Sequence, residues 1–162
     1  MTKEFRFVTE WQITAPLVEV CNAITHCLDW PLWWEGVEEV KQLSAGDHNG
    51  IGSVHHFVWK GRIPYRFSFD MLVTNYTPLV FLEGQASGEI IGTGRWDFSR
   101  RDDATIVRYQ WQVRTNRLWM NLIAPIAAPI FRWNHHQVMK QGASGIANLL
   151  NADLKYVCTL TL

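Results

Sequence analysis

The start of the chain shows two hydrophobic periods in succession. Residues 5–14, FRFVTEWQIT, are rich in β-branched and aromatic residues, which favours a strand. The next segment, APLVEVCNAITHCL, places apolar residues at three-to-four spacing behind a proline, which predicts a helix of about three turns. DWPLWWEGV follows, and its proline and glycine predict a second, short helix. We therefore expect a strand that leads into two short helices.

The middle of the chain, from Val37 to Thr115, loses the helical period and alternates apolar and polar residues between turns. In YRFSFDMLVTNY the alternation groups Tyr65 with Phe69, and in TIVRYQWQVRT it groups Tyr109 with Trp111. Such alternation is typical of strands with one solvated face and one covered face. We predict about six antiparallel strands here, with an aromatic face that another element covers.

The covering element is predicted in the segment from about Asn116 to Leu150. Pro125 and Pro129 interrupt its first part, so the regular helix is expected to begin near Pro129. One face of this helix carries residues at three-to-four spacing: Phe131, His135 and Val138. Residues 151–162 are interpreted as the end of the helix with a short terminal strand, and their role stays open.

This order of elements predicts an α+β fold, in which a curved antiparallel sheet of about six to seven strands wraps around a long C-terminal helix. The chain has 162 residues, which fits one domain over residues 1–162. Apolar residues make up 48% of it and charged residues 19%, so it can bury a core. Nine tryptophans in so short a chain predict a wide core or an apolar cavity with aromatic walls.

Charge and cysteine content narrow the range of partners. Fifteen Lys and Arg residues balance fifteen Asp and Glu residues, so we expect no nucleic-acid partner. Cys21, Cys27 and Cys158 have no CxxC spacing and are interpreted as reduced core thiols of a cytoplasmic protein. The first residues contain no apolar signal-peptide core.

The longest apolar run, LWMNLIAPIAAPIF, bears on membrane association. It is too short to span a bilayer, carries two prolines and lacks the basic polar face of an interfacial helix. We therefore expect no integral membrane association. The oligomeric state is left open, with a homodimer as one alternative.

Four segments resemble parts of the START-like polyketide cyclase/dehydrase and lipid-transport superfamily (SRPBCC): ITAPLVEVCNAI, WPLWWEGVEEV, SGEIIGTGRWDFSRRDDATIVRYQWQV and FRWNHHQVMKQGASGIANLL. The resemblance covers roughly residues 5–150. It implies the helix-grip fold, with an elongated cavity between the concave sheet face and the long helix. The superfamily includes carriers of lipids and hormones, polyketide cyclases and proteins without an assigned activity. The resemblance therefore implies a fold more than a chemistry.

The inward faces of the predicted strands and helix supply the wall of such a cavity. Parity with Phe57 turns His55 inward and leaves His56 on the outer face. We predict that the following residues contact a hydrophobic or aromatic ligand, such as a lipid or a polyketide-like molecule: Trp34, His55, Phe57, Tyr65, Phe67, Phe69, Trp96, Tyr109, Trp111, Phe131, His135 and Val138. The alternative for all of them is a filled core in a regulatory or interaction protein.

The adjacent histidines His135 and His136 raise the question of a metal site. Neighbouring residues on a helix point about 100 degrees apart, so these two cannot share one ion, and we expect no metal and no other cofactor. The enzymatic alternative is a cyclase, dehydrase or aromatase that uses His135 with Tyr65 or Tyr109 as acid and base. A cavity in which His135 lies within hydrogen-bond reach of a tyrosine hydroxyl would favour this alternative.

Overall fold

A computed structural model describes residues 4–162; residues 1–3 of the predicted domain lie outside the described part. The N-terminal elements are strand β1 (Glu4–Ile13), helix α1 (Leu17–Thr25), a 3-10 turn (Cys27–Asp29) and the one-turn helix α2 (Trp30–Trp33). Six strands follow: β2 (Val37–Ser44), β3 (Val54–Lys60), β4 (Arg66–Thr77), β5 (Phe81–Gly88), β6 (Ile90–Arg101) and β7 (Ala104–Thr115). The last elements are helix α3 (Leu118–Leu149) and strand β8 (Leu154–Thr161).

All eight strands form one antiparallel sheet in the order β2-β3-β4-β5-β6-β7-β1-β8. Strands β2 to β7 pair in sequence order, and β1 lies between β7 and β8, where Phe7 pairs with both Trp111 and Thr161. Register shifts in β1, β2 and β4 mark irregularities that increase the local bend and twist of a strand. The predicted α+β layout, with two short helices after the first strand and a long C-terminal helix, is confirmed.

The sheet has eight strands, slightly more than the six to seven predicted, and the terminal strand expected within residues 151–162 is present as β8. Strand β8 is a full edge strand, but its residues are half-buried or exposed, so it carries little of the alternation that identifies a strand. Its place in the sheet is set by backbone pairing with β1.

The predicted start of the long helix near Pro129 was wrong, since α3 begins at Leu118 and contains both prolines. Pro125 and Pro129 lie on the exposed side of α3, where solvent can hydrate the carbonyls that their missing N–H groups leave free. On the opposite side, three buried residues hold the first half of the helix in place: Met120, Ala124 and Ala128. Tertiary packing therefore overrides the helix-breaking effect of proline. No helix among residues 4–162 is long and apolar enough to cross a membrane.

The centre of the core is a cluster of indole rings around Trp34, which is only 1% exposed. Its Nε1 donates a hydrogen bond of 2.8 Å to the carbonyl of Val138, which ties α2 to α3. The absence of a side chain at Gly142 lets α3 approach this ring, because a Cβ there would collide with the Trp34 ring atoms. The indole of Trp34 and the glycine of α3 thus set how closely the helix lies over the sheet.

Candidate functional site

Two cavities lie between the inner face of the sheet and the helices. The first, here called the α3-side cavity, has a volume of about 150 Å³ and is lined by residues of β1, β4, β6, β7 and α3. The second, here called the loop-side cavity, has a volume of about 300 Å³ and extends from the sheet to the end of α1 and the β2–β3 connection. Both are partly open to solvent and mainly apolar.

The two cavities share a wall of five aromatic side chains: Trp30, Trp59, Phe69, Trp96 and Tyr109. Trp96 and Tyr109 are direct cross-strand partners between β6 and β7, and their rings stack with centroids 4.0 Å apart. Cross-strand neighbours share a face of the sheet, so the register of β6 and β7 fixes this contact. A ligand that occupies either cavity therefore touches the same set of rings.

His135 lies on α3 and lines the α3-side cavity. Its ring stacks on that of Phe7 in β1 with centroids 3.9 Å apart, and its Nε2 is buried without a hydrogen-bond partner among residues 4–162. Burial, and to a smaller extent the neighbouring His136, lowers the pKa of His135 from 6.5 to about 3. The imidazole is therefore neutral at physiological pH.

Tyr109 lines both cavities, and burial alone raises the pKa of its hydroxyl above the ordinary value of 10.0. The hydroxyl lies over Gly94 of β6, where an added Cβ would come within 2.8 Å of the Tyr109 oxygen. No hydrogen bond joins His135 to a tyrosine hydroxyl within the described residues. The cavity thus holds a neutral imidazole and a neutral phenol that are not hydrogen-bonded to each other.

Tyr65 is the predicted wall residue that lines neither cavity. It precedes β4, packs against Trp119 with ring centroids 5.3 Å apart, and donates a hydrogen bond of 3.1 Å to Glu89. Burial alone would raise the pKa of Glu89, but hydrogen bonds from the Ser68 N–H, Arg117 and Tyr65 bring it below its ordinary value. Tyr65 therefore belongs to a polar cluster at the end of the sheet.

The other eleven predicted wall residues line one cavity or both. His55 and Phe57 line the loop-side cavity, and burial lowers the pKa of His55. His56 lies on the outer face, where its Nδ1 is 2.6 Å from Oδ1 of Asp70. The remaining nine residues line the α3-side cavity: Trp34, Phe67, Phe69, Trp96, Tyr109, Trp111, Phe131, His135 and Val138. Of these, Phe69, Trp96 and Tyr109 also line the loop-side cavity.

Several residues that line the α3-side cavity were not predicted from the sequence. Phe5 and Phe7 of β1 line the α3-side cavity, and their alternation with Trp11 and Ile13, both fully buried, was the signal that could have identified them. Asn134 also lines this cavity, and its Oδ1 accepts a hydrogen bond of 2.7 Å from the Arg62 N–H. No local sequence pattern predicts this hydrogen bond, because it joins two segments that are far apart in the chain, α3 and the β3–β4 connection.

A metal site at His135 and His136 finds no geometric support. Their ring centroids lie 6.4 Å apart with an interplanar angle of 68°. Within residues 4–162, no group of three or more His, Cys, Asp or Glu side chains is arranged to hold a metal ion.

The fold resembles that of solved proteins at low sequence identity. Zhui aromatase/cyclase from Streptomyces sp. R1128 gives a TM-score of 0.73 at 11% identity, over 92% of this chain and 94% of its own. A START superfamily protein from Mycobacterium smegmatis gives 0.73 at 10% identity, over 91% and 97%. BexL, a di-domain ARO/CYC from the BE-7585A biosynthetic pathway, gives 0.70 at 14% identity over 93% of this chain.

The chain spans 51% of BexL, about half the length of that two-domain protein. No protein-family model matches the sequence, and a comparison with curated proteins finds no match. The structural likenesses confirm the helix-grip fold that the sequence predicted.

Proposed function

We propose that this chain binds a hydrophobic or aromatic small molecule, such as a lipid or a polyketide-like compound, in the cavities between its sheet and α3. The observation that carries the proposal is the presence of two aromatic-walled cavities beside a densely packed cluster of indole rings. The structural likeness to a START superfamily protein and to aromatase/cyclases supports it.

The apolar walls favour an apolar occupant. Water in the α3-side cavity, which has a volume of about 150 Å³, would find few polar partners there. An apolar ligand would instead remove the aromatic walls from contact with water.

The polar groups of the wall suggest how a ligand is oriented. His135 and Tyr109 are both neutral and line the α3-side cavity, whose lining includes one charged residue, the exposed Arg114, and no carboxylate among residues 4–162. Neutral donors and acceptors suit a ketone, a hydroxyl or a phenol, and the aromatic walls supply most of the affinity. We infer that the ligand carries at least one such neutral polar group.

Native mass spectrometry of the purified protein tests the proposal by looking for a copurified molecule. Binding of the neutral aromatic probe N-phenyl-1-naphthylamine gives a second readout. Val138 is 8% exposed and lines the α3-side cavity, so Val138→Phe is expected to weaken probe binding at least tenfold by occupying part of that space. Tyr65→Phe is the matched control and should bind the probe like the wild type, because Tyr65 lies outside both cavities.

The proposal fails if no molecule copurifies, the probe does not bind, and fatty acids, sterols and aromatic polyketides leave the melting temperature unchanged. A ligand present at a hundred times its dissociation constant should stabilise the folded protein by about 2.7 kcal/mol, which such a melt resolves. Equal probe binding by the wild type and Val138→Phe, with both proteins folded, would place the ligand outside the α3-side cavity.

A second candidate function is a cyclase, dehydrase or aromatase reaction without metal or nucleotide cofactor. The likeness to Zhui and BexL and the position of His135 and Tyr109 in one cavity favour it. Under this hypothesis His135 is the base and Tyr109 is the acid. A pKa of about 3 makes His135 a weak base at neutral pH, which is why binding is preferred. Turnover of an aromatic polyketide that His135→Gln abolishes, with probe binding retained, would establish the enzyme.

The cysteine content and the charge balance bear on the cellular compartment and on the class of partner. We propose a cytoplasmic protein of one domain that has no nucleic-acid partner. Three free cysteines and an equal number of acidic and basic residues support this assignment. Localisation of the tagged full chain by cell fractionation tests the compartment.

A further inference from the structure

The first half of α3 exposes an apolar surface that nothing in residues 4–162 covers. We define this α3 outer face by six residues: Leu118, Trp119, Leu122, Ile126, Ile130 and Trp133. Leu118, Leu122 and Ile126 are 83%, 82% and 84% exposed, and every other exposed residue between Leu118 and Trp133 is apolar as well. Monomeric proteins seldom expose a contiguous apolar patch of this kind unless it binds something.

The geometry of the face is that of a helix lying on a surface. Leu118, Leu122, Ile126 and Ile130 follow each other at four-residue spacing and therefore form one row along α3. From Leu118 to Trp133 the face is about 22 Å long at 1.5 Å per residue. The inner side of the same helix is already packed, since Met120, Ala124 and Ala128 are buried. The outer face is thus a second apolar side and not a displaced part of the core.

The charged side chains around the face are mostly basic. Residues 104–152 contain five Lys and Arg residues and no Asp or Glu. Arg117 precedes the face and Arg132 lies near its end, and Arg62 is exposed on the connection that Asn134 holds against α3. Glu89 pairs with Arg117 at 2.7 Å and offsets part of its charge, and Arg132 is half-buried, so the exposed Arg62 is the most accessible of the three basic groups. The basic groups that an interfacial helix needs are therefore supplied by its flanks and by a neighbouring connection.

The two prolines of α3 favour a bilayer over a protein partner as the occupant of this face. Pro125 and Pro129 cannot donate to the carbonyls of Asn121 and Pro125, so these carbonyls need another donor. In the dry interface of a second copy they would remain buried without partners, which is costly. At the headgroup level of a bilayer, water can hydrate them while the apolar side chains enter the acyl boundary.

We propose that the α3 outer face docks on the surface of a bilayer that contains anionic lipids. Trp119 and Trp133, 45% and 50% exposed at the two ends of the face, suit the headgroup boundary, where tryptophan is enriched. The same helix lines the α3-side cavity with Phe131 and His135, so docking brings that cavity next to the membrane. The docking requires no ligand in the cavity and can be tested independently of the proposed binding function.

The test is sedimentation of the full chain with vesicles of phosphatidylcholine, with and without about 30% phosphatidylglycerol. The wild type is expected to bind the anionic vesicles, more weakly at high salt. The double variant Leu122→Asp/Ile126→Asp should lose at least about tenfold in affinity. Leu43→Asp is the matched control on β2, where Leu43 is 59% exposed, and should bind like the wild type.

Three results would overturn the proposal. The wild type does not bind anionic vesicles; the double variant binds as well as Leu43→Asp; or light scattering without vesicles shows a dimer that the double variant dissociates, which would assign the face to a second copy. Far-UV circular dichroism checks that the variants fold, and Ile126→Asp alone replaces the double variant if it does not. Absence of vesicle binding by the wild type, with probe binding intact, would reject the docking proposal and leave the ligand proposal standing.

Discussion

Burial of the His135 imidazole is expected to make the stability of the protein depend on pH. The folded-state pKa of about 3 lies below the unfolded-state value near 6.5, so between these values the unfolded chain binds a proton that the folded chain does not. The contribution of His135 to stability is therefore complete above pH 6.5 and is lost progressively as the pH falls toward 3. At pH 5 the two pKa values give a loss of about 2 kcal/mol.

Urea unfolding at about pH 8 and about pH 5 measures this loss. The free energy of unfolding of the wild type should fall by about 2 kcal/mol more than that of His135→Leu, which has no imidazole to protonate. Other groups titrate in both proteins and cancel in the difference. His48→Leu is the control, because His48 is exposed and its removal leaves the buried imidazole in place.

The reasoning would be refuted if the wild type and His135→Leu lose the same free energy between the two pH values. That result would mean that the His135 ring is hydrated in the cavity and titrates as it does in the unfolded chain. The α3-side cavity would then hold enough water to change the expected ligand from mainly apolar to substantially polar.

Three further substitutions test the packing of α3. Trp34→Ala should cost about 3–5 kcal/mol in urea unfolding, because it removes a fully buried ring and its bond to Val138. Gly142→Ala should cost about 1–3 kcal/mol by the same measurement, since its Cβ collides with Trp34; a neutral effect would show that α3 can move outward. Asn134→Ala should cost about 1–3 kcal/mol and speed hydrogen exchange at the Arg62 amide, because it removes the acceptor of that N–H. Asn134→Asp keeps an acceptor and is the control. Unchanged exchange at Arg62 in Asn134→Ala would contradict the role of this hydrogen bond.

The sequence predicted which face of a strand a side chain occupies better than it predicted where along the strand the cavity ends. Alternation groups Tyr65, Phe67 and Phe69 correctly by parity, yet Tyr65 precedes β4 and lies beyond the end of both cavities. Parity states which face a side chain occupies and contains no information on where the cavity ends. Phe67 and Phe69 lie farther along β4 and line the α3-side cavity.

The wrong start of α3 and the underestimated length of β8 have a different origin. Proline propensity is a local property, but Met120, Ala124 and Ala128 pack against the rest of the molecule and keep the helix intact through both prolines. Strand β8 is specified mainly by backbone pairing with β1, and its side chains show no regular burial. Neither the packing nor the pairing is visible in a window of sequence.

The position of β1 in the sheet has a consequence for how the chain folds. Phe7 pairs with Trp111 and Thr161, partners about 100 and 150 residues farther along the chain, whereas β2 to β7 pair with their sequence neighbours. Closing such long loops costs entropy before the contacts are gained. The meander of β2 to β7 can therefore form early, and insertion of β1 between β7 and β8 is expected to be the slow, late step of folding.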